Sequence, residues 1–85
     1  MQLASVLDLR AAAPLWSALS AARGQALCVD ASAVERVGGL CLQLLLGAQA
    51  QWRAEGVSFK IENPSTGFVE AIKLAAAEEL IAEAA

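Results

Sequence analysis

Histidine and tyrosine are both absent from this chain, and cysteine, proline and methionine are scarce, at two, two and one residues. Without histidine the commonest general base and the commonest metal ligand are missing together, so neither a metal centre nor ordinary acid–base catalysis is expected, and no cofactor is expected either. Charge is sparse as well. Charged residues make up 18% of the chain, the net charge is -3, and the six basic residues form no cluster. Nucleic-acid binding draws its affinity from clustered Lys and Arg, so DNA and RNA are set aside as partners. Long apolar runs are also lacking, because Arg10, Asp30, Glu35, Gln43, Gln49 and Arg53 interrupt every apolar stretch before it reaches the roughly 18 residues of a membrane span. Residues Met1 to Arg10 show no basic region followed by an apolar core, so no secretory signal is expected and the cytoplasm is the expected location. In that reducing compartment Cys28 and Cys41, both in apolar surroundings, are expected to be unpaired and buried.

What is present is hydrophobic. At 58% hydrophobic residues over 85 positions, the chain is expected to form one small domain, residues 1–85, around one core. Gln2 to Leu7 suits a short strand ending in a turn at Asp8. From Ala11 to Arg23 the positions Ala12, Leu15, Leu19 and Ala22 recur at helical spacing, with Pro14 tolerable in a first turn and Gly24 as a stop. Ala26 to Val29, ending at Asp30, reads as a central strand buried on both faces. Ala31 to Arg36 reads as a loop. A second helix is expected from Gly38 to Glu55, with Leu40, Cys41, Leu44, Ala48 and Trp52 turned inward and Gly56 beyond its end. Val57, Phe59 and Ile61 alternate with polar residues as a strand does, and Asn63-Pro64-Ser65 supplies a turn and a cap for a third helix with Phe68, Ile72 and Ala75 inside. A weak last helix is expected over 76–85. Strands alternating with helices predict an α/β sandwich.

Candidates for chemistry are few. Asp8, Asp30 and Glu35 fall at turns, where caps and solvated loops account for them, and Ser32 and Ser65 read as turn and cap residues. Cys41 lies near a helix start, where a thiolate is favoured, so a small thiol-dependent enzyme is one alternative; its place on the inner stripe argues for packing. Gly38-Gly39 lacks the further glycines and the Lys-Ser/Thr of a phosphate-binding loop.

Leu7-Asp8, Ala12, Leu15, Val29-Asp30-Ala31-Ser32, Arg36-Val37-Gly38-Gly39, Leu42, Leu46-Gly47 and Gly56 together resemble the STAS family of bacterial anti-sigma factor antagonists. The resemblance covers nearly the whole chain. It implies an α/β STAS-like fold, a small mixed sheet with helices packed on it, and a domain that binds another protein instead of catalysing a reaction. In the family an Asp-Ser-Ser/Ala/Gly-Gly-Leu element opens the second helix, and the phosphorylated Ser or Thr would fall here at Gly39, with Gly38 in place of the preceding Asp. Gly39 is thus a degenerate phosphorylation site. The resemblance also implies a further N-terminal strand and a closing strand and helix that these 85 residues do not match, so stability is expected to depend on association, with a homodimer one outcome.

By the same resemblance, the loop after the central strand and the start of the second helix dock onto a GHKL-type kinase of the anti-sigma or chemotaxis kind. Here that surface comprises Asp30, Ser32, Gly38, Gly39, Leu42, Gln43 and Leu46. With the inner stripe as drawn above, Leu42 and Leu46 project elsewhere, beside Gln49 and Arg53, which makes them either a partner surface or ground covered by neighbouring helices. The other reading within the family is a STAS subunit bracing the ATPase of an ABC-type lipid transport complex.

Overall fold

The computed structural model of the chain describes residues 1–75 together with Ala77 and Leu80. Along the chain run β1 (Val6–Leu7), α1 (Leu9–Ala21), β2 (Leu27–Asp30), β3 (Arg36–Val37), α2 (Gly39–Ala54), β4 (Phe59–Glu62) and α3 (Thr66–Leu74). The α/β architecture is the expected one, and every strand pairing among the described residues is parallel, a narrower outcome than a mixed sheet.

Hydrogen bonds fix how the strands lie. Asp30 donates its amide to the Met1 carbonyl, Leu3 donates to Asp30, Glu35 and Arg36 donate to Ser5, and Gly38 donates to Leu7. All the β1-side partners are odd-numbered residues, whose amides and carbonyls share one side of an extended strand. β2 and β3 therefore lie along the same edge of the N-terminal segment, as one strand interrupted by the loop 31–35. On the other side of β2 lies β4, with Leu27, Cys28, Val29 and Asp30 opposite Phe59, Lys60, Ile61 and Glu62. β1 forms one edge of the sheet and β4 the other. The two residues of β3 fall partly within the segment expected to be a loop, and are too few to show any periodicity.

The core lies on one face only. Val29, Phe59 and Ile61 are buried beneath α1, α2 and α3, while Cys28, Lys60 and Glu62, one position out of phase, are exposed. Two sequence expectations change here. β2 is buried on one face, not two, and Cys28 is an exposed free thiol instead of a buried one. The cause is tertiary: no helix among the described residues packs against the far face. Trp52 of α2 stacks at a tilt on Phe59, with ring centroids 5.6 Å apart, and its indole N–H donates to the Gln25 carbonyl at 2.7 Å. That pairing gives a large buried ring the polar partner it needs.

Helix boundaries follow local chemistry. α1 begins two residues earlier than expected because the Asp8 carboxylate accepts the amides of Arg10 and Ala11 at 3.0 and 3.2 Å. Pro14 consequently sits in the second turn and not the first, where its missing N–H leaves the Arg10 carbonyl without the usual helical donor. Gly24 and Gly56, at φ 85° and 71°, take the left-handed conformation that ends α1 and α2, as expected. Ser65 caps α3 by accepting the Phe68 amide at 3.0 Å. Phe68 and Ile72 are buried as expected, but Ala75 is exposed, since the helix ends at Leu74. The weak last helix expected over 76–85 lies outside the described residues, apart from Ala77 and Leu80, both buried.

Candidate functional site

Parallel strands send their C-terminal ends to one end of the sheet, and the helices that follow start there. α1 starts from β1 at Asp8, α2 starts from β3 at Gly38, and α3 starts after β4 at Ser65. Direct bonds knit these starts together. Gly38 donates its amide to the Leu7 carbonyl at 2.7 Å, and the Cys41 thiol donates to the Asp8 carbonyl at 3.3 Å. Ser65 donates its amide to Ala31 and its hydroxyl to Val34, fastening α3 to the loop between β2 and β3.

α2 alone has no side-chain cap. Gly38 precedes the helix in extended conformation, and its carbonyl accepts the Leu42 amide. The first amides of the helix are left without a side-chain partner beside an exposed Gly39. A Cβ at Gly39 would meet nothing within 4 Å, whereas one at Gly38 would come within 3.1 Å of the Leu7 carbonyl oxygen. Gly38 is thus where the start of α2 presses against β1, and Gly39 faces open space.

Asp30 and Ser32 form a second group, in the interruption between β2 and β3. The Asp30 carboxylate accepts the Ser32 amide at 2.8 Å. Hydrogen bonds from the Ser32 side chain and backbone hold the Asp30 carboxyl below its ordinary pKa against a smaller opposing effect of desolvation, with the N-terminal charge and Asn63 adding to the lowering. Because the folded-state value is depressed, the stability this group contributes is present above the unfolded pKa and fades as pH falls through the folded one. No hydrogen bond joins this pair to Gly38 and Gly39 among the described residues; the two groups share an end of the sheet without touching through polar atoms.

The leucines of α2 depart from expectation. Leu42 is buried at 6% exposure and belongs to the core, Leu46 is half-buried, and Leu40, expected inside, is 49% exposed. The inner stripe is Cys41, Leu45, Ala48 and Trp52, flanked by Leu42 and Gln49. Gln43, as expected, is exposed. Leu42 is therefore removed from the candidate surface and Leu40 takes its place. A carboxylate at position 42 would enter the core and unfold the domain instead of testing an interface.

Sequence reasoning also missed an apolar groove of about 230 Å³ between α1 and α2, walled by Trp16, Ser20, Leu44 and Gly47. Trp16 is 61% exposed. The signal was available: Leu9, Ala13, Trp16 and Ser20 follow one another at helical spacing on the face of α1 adjacent to Ala12, Leu15 and Leu19. Arg23, which also lines the groove, pairs with Glu55 at 2.8 Å.

Cys41 is not in the exposed, electropositive setting that the thiol chemistry weighed from sequence calls for. It is buried at 1% exposure, engaged as a donor, and its pKa is raised, first by burial and then by the charge of Asp8. A nucleophilic thiol needs the opposite setting. Among the described residues no group of His, Cys, Asp and Glu side chains could hold a metal, and no helix is long and apolar enough to cross a membrane.

These features define a class: a small α/β domain with one helix-covered face and an uncapped helix start beside the loop between β2 and β3. Residues 1–82 match the family model described as "Mlab, STAS domain", and the chain belongs to the STAS domain family. STAS domains are in general non-catalytic interaction modules of anti-sigma factor antagonism or signalling. Comparison with curated proteins and with solved structures returned no significant match.

Proposed function

We propose that the domain is a phosphorylation-independent adaptor in bacterial signalling that docks onto a GHKL-type kinase of the anti-sigma or chemotaxis kind in the cytoplasm. The observation that carries this reading is the uncapped start of α2, with Gly39 open at the position where the family's phosphoacceptor falls. Without a hydroxyl there, nothing at that position can be phosphorylated to release a partner, so docking is constitutive. The contact surface is Gly38, Gly39, Leu40, Gln43 and Leu46 on α2, with Asp30 and Ser32 beside it. Unfilled amides at the helix start donate to a carboxylate or carbonyl of the partner, and Leu40 supplies apolar area.

A second reading, in which the domain braces the ATPase subunit of an ABC-type transporter, rests on the same surface and on a matching family model described as Mlab without mention of a kinase. One experiment separates the two. The tagged protein is captured from its native cells beside a Leu40→Asp variant whose circular dichroism matches the parent. A histidine or anti-sigma kinase recovered by the parent and lost by the variant is the expected outcome; an ABC ATPase recovered in the same pattern replaces the first reading with the second. Equal recovery by both proteins overturns the assignment of the surface.

A further inference from the structure

β4 is paired on one side only. Leu27 donates its amide to the Ser58 carbonyl and Ala31 donates to Glu62, so the even-numbered residues Ser58, Lys60 and Glu62 turn their backbone groups toward β2. By the alternation of an extended strand, the amides and carbonyls of Phe59 and Ile61 point the other way. No main-chain partner meets them there among the described residues. Shallow clefts flank that edge, one lined by Val57, Phe59 and Lys60, the other by Ile61, Asn63 and Pro64. An unpaired row of this kind is a template for another strand.

The side chains say which strand. Lys60 and Glu62 stand exposed on the helix-free face, while Phe59 and Ile61 are buried on the other. We propose that β4 pairs antiparallel with β4 of a second copy of this chain, Ile61 opposite Ile61, so that Lys60 of each copy faces Glu62 of the other and one sheet runs through a two-fold dimer. Backbone parity and charge select the same register. With Ile61 opposite its own copy, each Ile61 amide donates to the other's carbonyl, and the Asn63 amide of each reaches the Phe59 carbonyl of the other. A slide by one step pairs outward-pointing residues with inward-pointing ones and breaks the ladder. A slide by two sets Lys60 against Lys60, or Glu62 against Glu62, and like charges directly opposite are repulsive. Asn63, at φ 50°, turns the chain away and keeps the pairing short. At the opposite edge the N-terminal segment, residues 2–7, turns the backbone groups of Gln2, Ala4 and Val6 outward and has no charge to choose a register. The start of α2 follows β3, not β4, so the dimer leaves the α2 part of the docking surface free, and each inference stands or fails by its own measurement.

Sedimentation equilibrium of the purified chain at low ionic strength tests the pairing with variants at two exposed positions. The parent is expected to reach twice the monomer mass as concentration rises. Lys60→Glu places Glu against Glu62 twice and Glu62→Lys places Lys60 against Lys twice, so each variant alone dissociates at about tenfold higher concentration or more. Mixed in equal amounts, the two variants restore both opposite-charge pairs and re-form the dimer, as does the double variant Lys60→Glu, Glu62→Lys. A parent that stays monomeric at every concentration overturns the proposal. So does a dimer that both single variants leave intact, since it would use a different surface.

Discussion

The starts of α1 and α3 differ from the start of α2 in what meets their first amides. Asp8 and Ser65 each turn an oxygen back onto the helix they precede, and Ser65 also ties its helix to Val34. Gly38 has nothing to turn back. Three helix starts at one end of one sheet are thus built in two ways, two capped by their own side chains and one without a side-chain cap. The difference lies in where the first amides find acceptors: a cap adds stability by supplying one, and an uncapped start leaves its amides available to other acceptors.

The largest effect is expected where a closed start is packed most tightly. A Cβ at Gly67, in the first turn of α3, would lie 2.6 Å from the Glu35 carbonyl oxygen, so Gly67→Ala forces helix and loop apart. A loss of about 1–3 kcal/mol is expected in urea unfolding. An unchanged midpoint would mean that α3 is not held against the loop. Removing the caps comes next. Ser65→Ala should cost about 1–2 kcal/mol because it forfeits two bonds, and Asp8→Ala about 1 kcal/mol. If either equals a neutral surface substitution, the closed starts are not closed by these side chains. The smallest stability effect belongs to Gly38→Ser, which gives α2 a cap of its own: a change within about 0.5 kcal/mol, as the new hydroxyl's bond is offset by the tight approach to Leu7. Partner affinity measured by titration calorimetry should nonetheless fall. A Gly38→Ser protein that binds as well as its parent would show that the open start is not what the partner uses.

Much of the fold was legible because its signals are local. Gly24, Gly56 and Ser65 mark ends and a cap through chemistry that needs no knowledge of the rest of the chain, and the alternation from Phe59 to Glu62 states which face is wet. The register of α2 was not legible. From Leu40 to Leu46 all but Gln43 are apolar, so a stripe through Cys41, Leu44, Ala48 and Trp52 is as helical as one through Cys41, Leu45, Ala48 and Trp52, and only packing against the sheet chooses between them. Cys28 fails for a related reason. An apolar run of four residues does not reveal whether one face or both are covered, and that depends on where helices elsewhere in the chain settle. At the candidate site, positions 38 and 39 were visible through the family pattern. Leu40 depends on the register of α2 and was hidden with it, whereas the groove beside Trp16 was signalled on α1 and passed over.

Gly39 also bears on how regulation can change over generations. Position 39 has room for a side chain, and its backbone sits in an ordinary helical conformation at the edge of the proposed contact. A single substitution there, to serine, introduces a phosphorylatable hydroxyl without rebuilding the fold, and the reverse substitution removes it as cheaply. Scaffold and control are therefore separable heritable traits under the proposed function: a lineage can gain or lose a hydroxyl at this position while the fold that carries it persists.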